Sequence, residues 1–302
     1  MLRQNAGGLP TYSFESLAAE NLVHAVFTRL GGVSQAPFAT LNVGHTVGDE
    51  EGAVLENHTR IRAHLDLEAD CITSPRQVHG SHVAVITPGD AGRMIPNTDG
   101  LVTDLPGIAL LLRFADCVPV LLYDPVHHAL GLVHAGWRGV AQAIARRAVE
   151  TMAEAFGTRP EQLLAGLGPA IGPCCYTVGD NVAAAMGYAL PKWQQVLHPD
   201  GELWRLDLPA ANAQQLHAAG VRQIEHAHLC TACHTGEFFS HRAEKGQTGR
   251  FAVAAFLVPA AGTRGQMVET AASTPGEEEW LQPLSLDPPG LPSFGELLGG
   301  NP

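Results

Sequence analysis

The chain has 302 residues and a mass of 31.9 kDa, and its 45% of apolar residues excludes a wholly disordered protein. Its 18 Lys and Arg stand against 30 Asp and Glu, and the resulting net charge of −12 disfavours binding to nucleic acid or anionic membranes. Six Cys in a chain of this length also exclude a disulfide-stapled scaffold. The expected ligand is therefore a small molecule.

No secretory signal is visible in the first residues, which contain no apolar core. The apolar runs fall far short of the roughly 20 residues that span a bilayer. The sequence therefore predicts a cytoplasmic protein without a membrane segment, in which the Cys residues are thiols or metal ligands.

Composition divides the chain into two parts. Residues 260–302 contain six Pro, seven Gly and six acidic residues against one Arg, which predicts an acidic, flexible tail. Residues 10–259 are predicted to form a single folded catalytic domain.

Strand-like and helix-like patterns alternate along the predicted domain. Apolar runs predict strands at residues 23–28, 77–86 (interrupted by Gly80), 99–103, 108–114, 118–123, 129–133, 163–167 and 251–258. Helical spacing of apolar residues predicts helices at 50–65, 139–156, 180–189 and 208–219. This alternation predicts a mixed α/β domain with sheets buried under helices.

Three reactive side chains lie near the ends of predicted strands, where sites in α/β proteins gather. They are His79, Cys117 and His134. If these strand ends meet, two imidazoles and one thiolate would leave the fourth tetrahedral position open, as in a catalytic zinc site. The spacing matches no standard zinc signature. Taken singly, a His of this kind is more often a hydrogen-bonded structural residue, and a Cys is more often a small buried hydrophobic residue.

Two Gly-flanked arginines predict an anion pocket. Arg138 lies in a Gly-bounded turn before the long helix, and Arg29 precedes a Gly-Gly turn. Solvent-exposed side chains are the alternative interpretation. Asp116, next to Cys117, is predicted either to orient a metal-bound His by a hydrogen bond or to cap the next turn.

Two short motifs match other metal chemistry. Residues 230–234, with Cys230, Cys233 and His234, have the spacing of a c-type haem attachment site, which requires export. The same CxxC would suit a thioredoxin-like or zinc role, but it lacks a second pair of Cys. His226 and His228 form a single HxH unit, which supplies too few ligands for a multicopper site.

At these segments the sequence resembles one family. The motifs are Thr28-Arg29-x-Gly31-Gly32-Val33-Ser34, Gln77-Val78-His79-Gly80, Asp99-Gly100-Leu101-Val102-Thr103, Ala115-Asp116-Cys117-x-Pro119-Val120, His134-Ala135-Gly136-Trp137-Arg138-Gly139, Gly168-Pro169-x-Ile171-Gly172 and Phe238-Phe239-Ser240-x-Arg242. In order, over about residues 24–258, they resemble the YfiH-type laccase-domain family. That family is described both as polyphenol oxidoreductases and as purine nucleoside phosphorylases.

The resemblance implies a single layered α/β/β/α domain with mixed sheets and a Zn²⁺ site formed by His79, Cys117 and His134, with copper as the less expected metal. It further implies phosphorolysis of adenosine, inosine, guanosine and methylthioadenosine, together with adenosine deamination. The implied partners are therefore purine nucleosides and phosphate. We expect Arg29 and Arg138 to hold the phosphate.

Some positions depart from the family pattern. His58 stands where the family commonly has Arg, and His241-Arg242-Ala243 carries one cation fewer than the usual segment. Cys233 and His234 look particular to this chain. These departures leave the three metal-ligand residues unchanged and concern substrate range and phosphate affinity.

Three other functions remain open. Cys117 could be the nucleophile of an amidase acting on a cell-wall precursor, with His134 or His79 as its base, and a bound metal would exclude this reading. Laccase-like oxidation of phenols is a second alternative. A non-enzymatic role in partner binding is a third, and it predicts that substitutions at the three residues are tolerated.

Overall fold

The computed structural model describes residues 1–5 and 8–259, so the predicted acidic tail at residues 260–302 lies outside the described residues. The strands, in chain order, are β1 Leu2–Gln4, β2 Thr11–Ser13, β3 Leu22–Phe27, β4 Ile72–Pro75, β5 Val83–Val85, β6 Met94–Ile95, β7 Gly100–Thr103, β8 Ala109–Phe114, β9 Val118–Asp124, β10 Ala129–Ala135, β11 Leu164–Leu167, β12 Thr177–Val178, β13 Leu197–Asp200, β14 Leu203–Leu206, β15 Gln223–His226 and β16 Phe251–Leu257. The α-helices are α1 Glu51–Leu65, α2 Trp137–Ala141, α3 Ile144–Phe156, α4 Asp180–Ala189 and α5 Leu208–Ala218.

These strands form two large mixed sheets and one small sheet. The seven-stranded sheet has the order β1-β2-β3-β16-β8-β4-β6, and the six-stranded sheet has the order β15-β11-β9-β10-β7-β5. The pairs β4–β8 and β5–β7 are parallel, whereas β9–β10 and β16–β8 are antiparallel. The small sheet has the order β12-β14-β13.

The two large sheets pack face to face, because residues on their strands alternate between two apolar cores. In β8, Leu110 and Leu112 face the core between the sheets, whereas Ala109 and Leu111 face the core that contains α1. The other face of the six-stranded sheet is covered by apolar residues of α3, α4 and α5. This α/β/β/α layering confirms the predicted fold class.

The predicted strand at residues 77–86 is wrong over most of its length. Only Val83–Val85 pairs with a neighbour, and the residues before it form a loop. The cause is the carboxylate of Asp99, which accepts hydrogen bonds from the backbone N–H groups of Val78, His79 and Gly80. These amides are therefore engaged by a side chain instead of a sheet ladder.

The predicted long helix at residues 139–156 is two helices. The helix α2 ends at Ala141 and α3 begins at Ile144, and between them Ala143 has a left-handed backbone with φ of 61°. No Gly or Pro marks this break, so the apolar spacing continues across it and hides the interruption.

Several short elements were not predicted. The N-terminal strands β1 and β2, the strand β4 and the small sheet formed by β12, β13 and β14 have too few residues to show a clear period. Among the described helices, none is long and apolar enough to cross a membrane.

Candidate active site

The candidate site lies at one end of the six-stranded sheet, where strand register brings three segments together. Cys117 immediately precedes β9, and in the antiparallel neighbour β10 His134 lies opposite Pro119. The next strand, β7, begins at Gly100 opposite Val133, so Asp99 lies beside His134. The backbone N–H of His134 donates to the carbonyl of Asp99 at 2.7 Å.

The structure places His79, Cys117 and His134 in one group. Their nitrogen and sulfur ligand atoms all lie within 4.8 Å of one another. The rings of His79 and His134 meet edge to face, with centroids 4.8 Å apart. His134 is buried and His79 is exposed, so the group is anchored in the sheet and accessible from one side.

Asp99 organises this group, a role that was not predicted from the sequence. Its Oδ1 lies 2.8 Å from Nδ1 of His134, which leaves Nε2 as the nitrogen available to a ligand. Its two carboxylate oxygens also accept the N–H groups of Val78, His79 and Gly80 at 2.7–3.1 Å, which fixes the loop that carries His79. An Asp at the start of an apolar strand was the signal available in the sequence, because a carboxylate that becomes buried there needs partners.

Electrostatics pair Cys117 with His134. Burial by itself raises the pKa of the Cys117 thiol, but His134 and His79 oppose it and lower the pKa overall. Burial likewise disfavours a charged His134, yet the Cys117 thiolate and Asp99 raise its pKa. The two histidines therefore favour a thiolate, the form of Cys that binds metals and attacks electrophiles.

Gly136 provides the space in which the three side chains meet. A Cβ atom at this position would lie 2.8 Å from the Cys117 sulfur and 3.5 Å from Cδ2 of His79. Any larger residue would therefore displace the thiol, which explains a Gly between β10 and α2.

A cavity of about 610 Å³ opens beside the three residues. Among the described residues, Asp116 is the one acidic side chain that lines it, against five arginines: Arg76, Arg113, Arg138, Arg242 and Arg250. A chain with a net charge of −12 thus concentrates cations around one pocket, as expected for capture of a small anion.

Two of these arginines rest on aromatic rings. The Arg138 guanidinium lies 4.5 Å from the centroid of Trp137, and the Arg242 guanidinium lies 5.0 Å from that of Tyr176. One Nη of Arg242 also donates to the carbonyl of Thr177 at 2.8 Å. Stacking of this kind orients a guanidinium and leaves donors on its edge for an anion.

Arg113 is held more deeply. One of its Nη atoms donates to the carbonyl of Pro75 at 2.6 Å, and the other is buried without a hydrogen-bond partner among the described residues. Burial lowers the pKa of Arg113 to about 10. A buried donor without a partner costs about 1–3 kcal/mol, so an acceptor in the adjoining cavity would stabilise this side chain.

Arg29 lies elsewhere, and its placement argues against the predicted phosphate role. Its guanidinium donates to the carbonyls of Ala39 and Thr235 and forms an ion pair with Glu244, each at 2.8 Å. It also lies 4.3 Å from the ring centroid of Phe239 and does not line the cavity. These contacts engage Nε and Nη1 of the guanidinium and hold the side chain outside the cavity lining.

Asp116 does not orient an imidazole. Its Oδ1 accepts hydrogen bonds from the hydroxyls of Thr231 and Ser240 at 2.6 and 2.7 Å, and its Oδ2 accepts the N–H of Arg242 at 2.6 Å. Its φ of 87° is in the left-handed region, which these bonds stabilise. Asp116 therefore joins a distant loop to the strand end that carries Cys117.

Two of the positions that depart from the family pattern lie at or near the cavity. His241 lines it, whereas His58 packs behind it against His45, with ring centroids 4.8 Å apart. Burial and the nearby Arg113 lower the pKa of His58 to about 3. A neutral ring thus replaces the charge that an Arg would bring to this position.

The donor set fits a metal ion such as zinc. Two imidazoles and one thiolate within 4.8 Å of one another can share an ion at typical distances of about 2.1 Å to nitrogen and 2.3 Å to sulfur. All three residues line the cavity, and Asp99 supplies the hydrogen bond that metal-bound histidines commonly make. His79, Cys117 and His134 are therefore the residues that would hold it.

Comparison with known proteins agrees with this fold. Residues 23–258 match the family described as multi-copper polyphenol oxidoreductase laccase. The chain is 39% identical to the purine nucleoside phosphorylase YlmD of Geobacillus stearothermophilus, over 76% of this chain and 87% of that one. It is 40% identical to a purine nucleoside phosphorylase of Deinococcus radiodurans, over 81% and 92% of the two chains.

Solved structures show the same architecture. The crystal structure of YlmD from Geobacillus stearothermophilus superposes with a TM-score of 0.80 at 36% identity, covering 85% of this chain and 98% of that one. The crystal structure of the Bacillus licheniformis hypothetical protein YfiH gives a TM-score of 0.79 at 34% identity, with 84% and 98% covered. The chain therefore belongs to the YfiH-type family of multi-copper polyphenol oxidoreductase laccase proteins.

Proposed function

We propose that the chain is a zinc-dependent purine nucleoside phosphorylase that also deaminates adenosine. The observation that carries the proposal is a three-ligand group of His79, Cys117 and His134 at the wall of a cavity with five arginines. Such a cavity offers a metal and an anion site side by side. The names of the relatives from Geobacillus and Deinococcus support the same reaction class.

A bound zinc ion would supply a Lewis acid and lower the pKa of a water molecule at this wall of the cavity. The chain's own contribution is to hold the ligands in place. Asp99 keeps His134 in one orientation, and its bonds to the loop amides keep His79 within reach of Cys117. Deamination of adenosine replaces the C6 amino group with oxygen from water and releases ammonia.

Phosphorolysis places different demands on the cavity. An oxygen of hydrogen phosphate forms a bond to C1′ of the ribose while the bond from C1′ to the purine nitrogen breaks. The electron pair leaves with the purine, and the proton of hydrogen phosphate ends on the base. We assign the binding of the phosphate charge to Arg138 together with Arg242, which line the cavity from different segments of the chain.

Arg138→Ala tests this assignment. Hydrogen bonds to charged groups contribute about 1.5–3 kcal/mol, so the KM for phosphate should rise roughly 10- to 100-fold. Deamination of adenosine, which consumes no phosphate, should change much less. Steady-state assays of the zinc-loaded protein at varied phosphate concentration measure both effects.

Arg146→Ala is the matched control. Arg146 is exposed on α3, pairs with Glu150 at 3.4 Å and does not line the cavity, so its loss should leave the KM for phosphate unchanged. An equal KM for phosphate in the two variants would remove Arg138 from the phosphate site.

A cysteine hydrolase is the second candidate, and one observation favours it. Cys117, His134 and Asp99 lie in the order of a nucleophile, its base and the group that orients the base. The two candidates differ in the state of the thiol. In a hydrolase, iodoacetamide should alkylate Cys117 rapidly in the active protein. In the zinc enzyme, activity should depend on the metal, and the bound metal should protect Cys117 from alkylation.

The structure gives less support to copper-dependent oxidation of phenols. His226 and His228 stack with ring centroids 5.4 Å apart, but in the described part of the chain they join no group of three or more metal ligands. Phenol oxidation by copper-loaded protein that persists in Cys117→Ala would support this alternative.

A further inference from the structure

Four of the six cysteines form a second cluster outside the cavity. Cys174 and Cys175 lie in the loop after β11, and Cys230 and Cys233 lie in the loop after β15. All four sulfur atoms lie within 4.8 Å of one another. The sulfur of Cys233 is 3.5 Å from that of Cys174 and 3.4 Å from that of Cys175.

The CxxC of Cys230 and Cys233 has no second pair of Cys near it in the chain. In the folded protein, the adjacent Cys174 and Cys175 form that second pair. The pairs are 59 residues apart, counted from Cys174 to Cys233, and the parallel pairing of β11 with β15 brings their loops together. The haem-like spacing at residues 230–234 therefore places Cys230 and Cys233 in a four-cysteine cluster. The side chain of His234 bonds to the carbonyl of Cys230 at 2.9 Å.

Hydrogen bonds order the backbone around the cluster. The N–H of Ala170 donates to the carbonyl of Leu229, and the N–H of Thr231 donates to the carbonyl of Ala170, at 3.2 and 3.0 Å. The N–H of Gly172 donates to the sulfur of Cys230 at 3.2 Å, a contact that favours a thiolate. The two loops therefore present their sulfurs in a fixed arrangement.

The spacing and the chemistry of the donors point to one class of ion. With bonds of about 2.3 Å to zinc, the sulfurs of a tetrahedral four-thiolate site are about 3.8 Å apart, close to the distances found here. Soft thiolates select zinc over magnesium or calcium. Four protein ligands complete the coordination, so such a site is structural and binds no substrate.

The surroundings suit the charge of this complex. Four thiolates and one Zn²⁺ leave a net charge of −2, and the guanidinium of Arg205 lies at the same loop. It donates to the carbonyls of Pro173 and Cys174 at 3.2 and 2.9 Å. Arg205 also forms an ion pair with Asp200 at 2.9 Å, so it fixes the loop and offers only part of its charge to the cluster.

We propose that Cys174, Cys175, Cys230 and Cys233 bind a zinc ion in a closed structural site, separate from the group at the cavity. This ion links two loops that each reach the active cavity. Tyr176, next to Cys175, lines the cavity, and Thr231, next to Cys230, bonds to Asp116. The inference rests on the geometry of the four cysteines and does not depend on the proposed function; only the expected total of two zinc ions per chain also counts the ion at the cavity.

Metal stoichiometry tests the proposal directly. The full chain, loaded with zinc, freed of excess metal and analysed by plasma mass spectrometry, should contain about two zinc ions per chain. Cys233→Ser should contain about one, and Cys117→Ala should also contain about one, because each loses a different site. A double variant should contain almost none.

Cys71→Ser is the matched control, since Cys71 is a free thiol in neither cluster and should leave two zinc ions bound. Cobalt loading gives an independent readout. The sulfur-to-cobalt charge-transfer absorption of a four-thiolate site is intense, and it should persist in Cys117→Ala and disappear in Cys233→Ser. If Cys233→Ser does not fold, the cobalt spectrum of Cys117→Ala against the wild type still decides.

Two results would overturn the proposal. One is a Cys117→Ala protein without bound zinc and without the intense cobalt absorption. The other is a disulfide among the four cysteines, detected in the aerobically purified protein by alkylation under non-reducing conditions and mass spectrometry. Six reduced thiols and protection of the cluster by zinc are the expected outcome.

Discussion

The carboxylate of Asp99 connects the sheet to two of the three candidate metal ligands. It bonds to Nδ1 of His134 and to the backbone N–H of His79, and it is fully buried. Asp99→Asn removes the negative charge and changes the acceptor opposite His134. Because hydrogen-bond partners of metal-bound histidines typically affect metal affinity 10- to 100-fold, we expect a loss of about that size in zinc affinity at the cavity.

Competition with a chromophoric chelator measures this loss. Asp104→Asn is the control, because Asp104 is exposed just after β7 and should leave zinc affinity unchanged. Measurement in the Cys233→Ser background confines the readout to the cavity site. Equal affinities in Asp99→Asn and Asp104→Asn would show that Asp99 serves the fold alone.

The sequence was sufficient to predict the reactive side chains but not all of their hydrogen-bond partners. Strand-end placement singled out His79, Cys117 and His134, whereas it assigned the orienting carboxylate to Asp116, the neighbour of Cys117 in the chain. The pairing register between β7 and β10 determines which carboxylate orients the imidazole, because it places Asp99 beside His134. Such a register depends on sheet pairing and is not visible in local spacing.

The break between α2 and α3 is a conformational feature that a single substitution tests. Ala143 has φ of 61°, a region that costs an L-residue about 1–2 kcal/mol. Ala143→Gly removes this backbone strain, which stabilises the folded state. It also makes the unfolded chain more flexible, which lowers the free energy of unfolding by about 0.5–1 kcal/mol. We expect the free energy of unfolding in urea to rise by up to about 1 kcal/mol.

The same Ala-to-Gly substitution inside α3 should lower the free energy of unfolding instead of raising it. Ala153→Gly places Gly within a regular helix, where it costs about 1 kcal/mol relative to Ala. A destabilisation of Ala143→Gly that matches that of Ala153→Gly would mean that residue 143 adopts ordinary helical geometry in solution.

Elements with long, regular apolar patterns were predictable, and those set by single contacts were not. The strands β8, β9, β10 and β16 follow from their apolar runs, because sheets buried on both faces need apolar residues on both. The loop before β5 was not predictable, because one distant carboxylate captures its amides. The strands of the small sheet are too short, and partly too exposed, to carry a period.

Over the whole molecule, chain order and spatial order differ, and this difference builds the cavity. The strand β16 inserts between β3 and β8, so the seven-stranded sheet joins segments from opposite ends of the described chain. The preceding loop brings Arg242 and Arg250 to the same cavity as Arg138. The layered fold was predictable from alternation and resemblance, but this gathering of distant arginines was not.

The charge distribution of the molecule suits a small anionic substrate. Its net charge of −12 repels polyanions such as nucleic acids, whereas the arginines around the cavity attract an anion that fits inside it. Phosphate has that size and charge.

Product analysis of the zinc-loaded protein with adenosine tests the central claim most directly. Chromatography should detect ribose 1-phosphate in an amount equal to adenine plus hypoxanthine when phosphate is present, and neither free base nor ribose 1-phosphate when it is absent. Cys117→Ala should lose all of these products. Adenine formed without phosphate, or inosine as the only product under both conditions, would contradict phosphorolysis at this cavity.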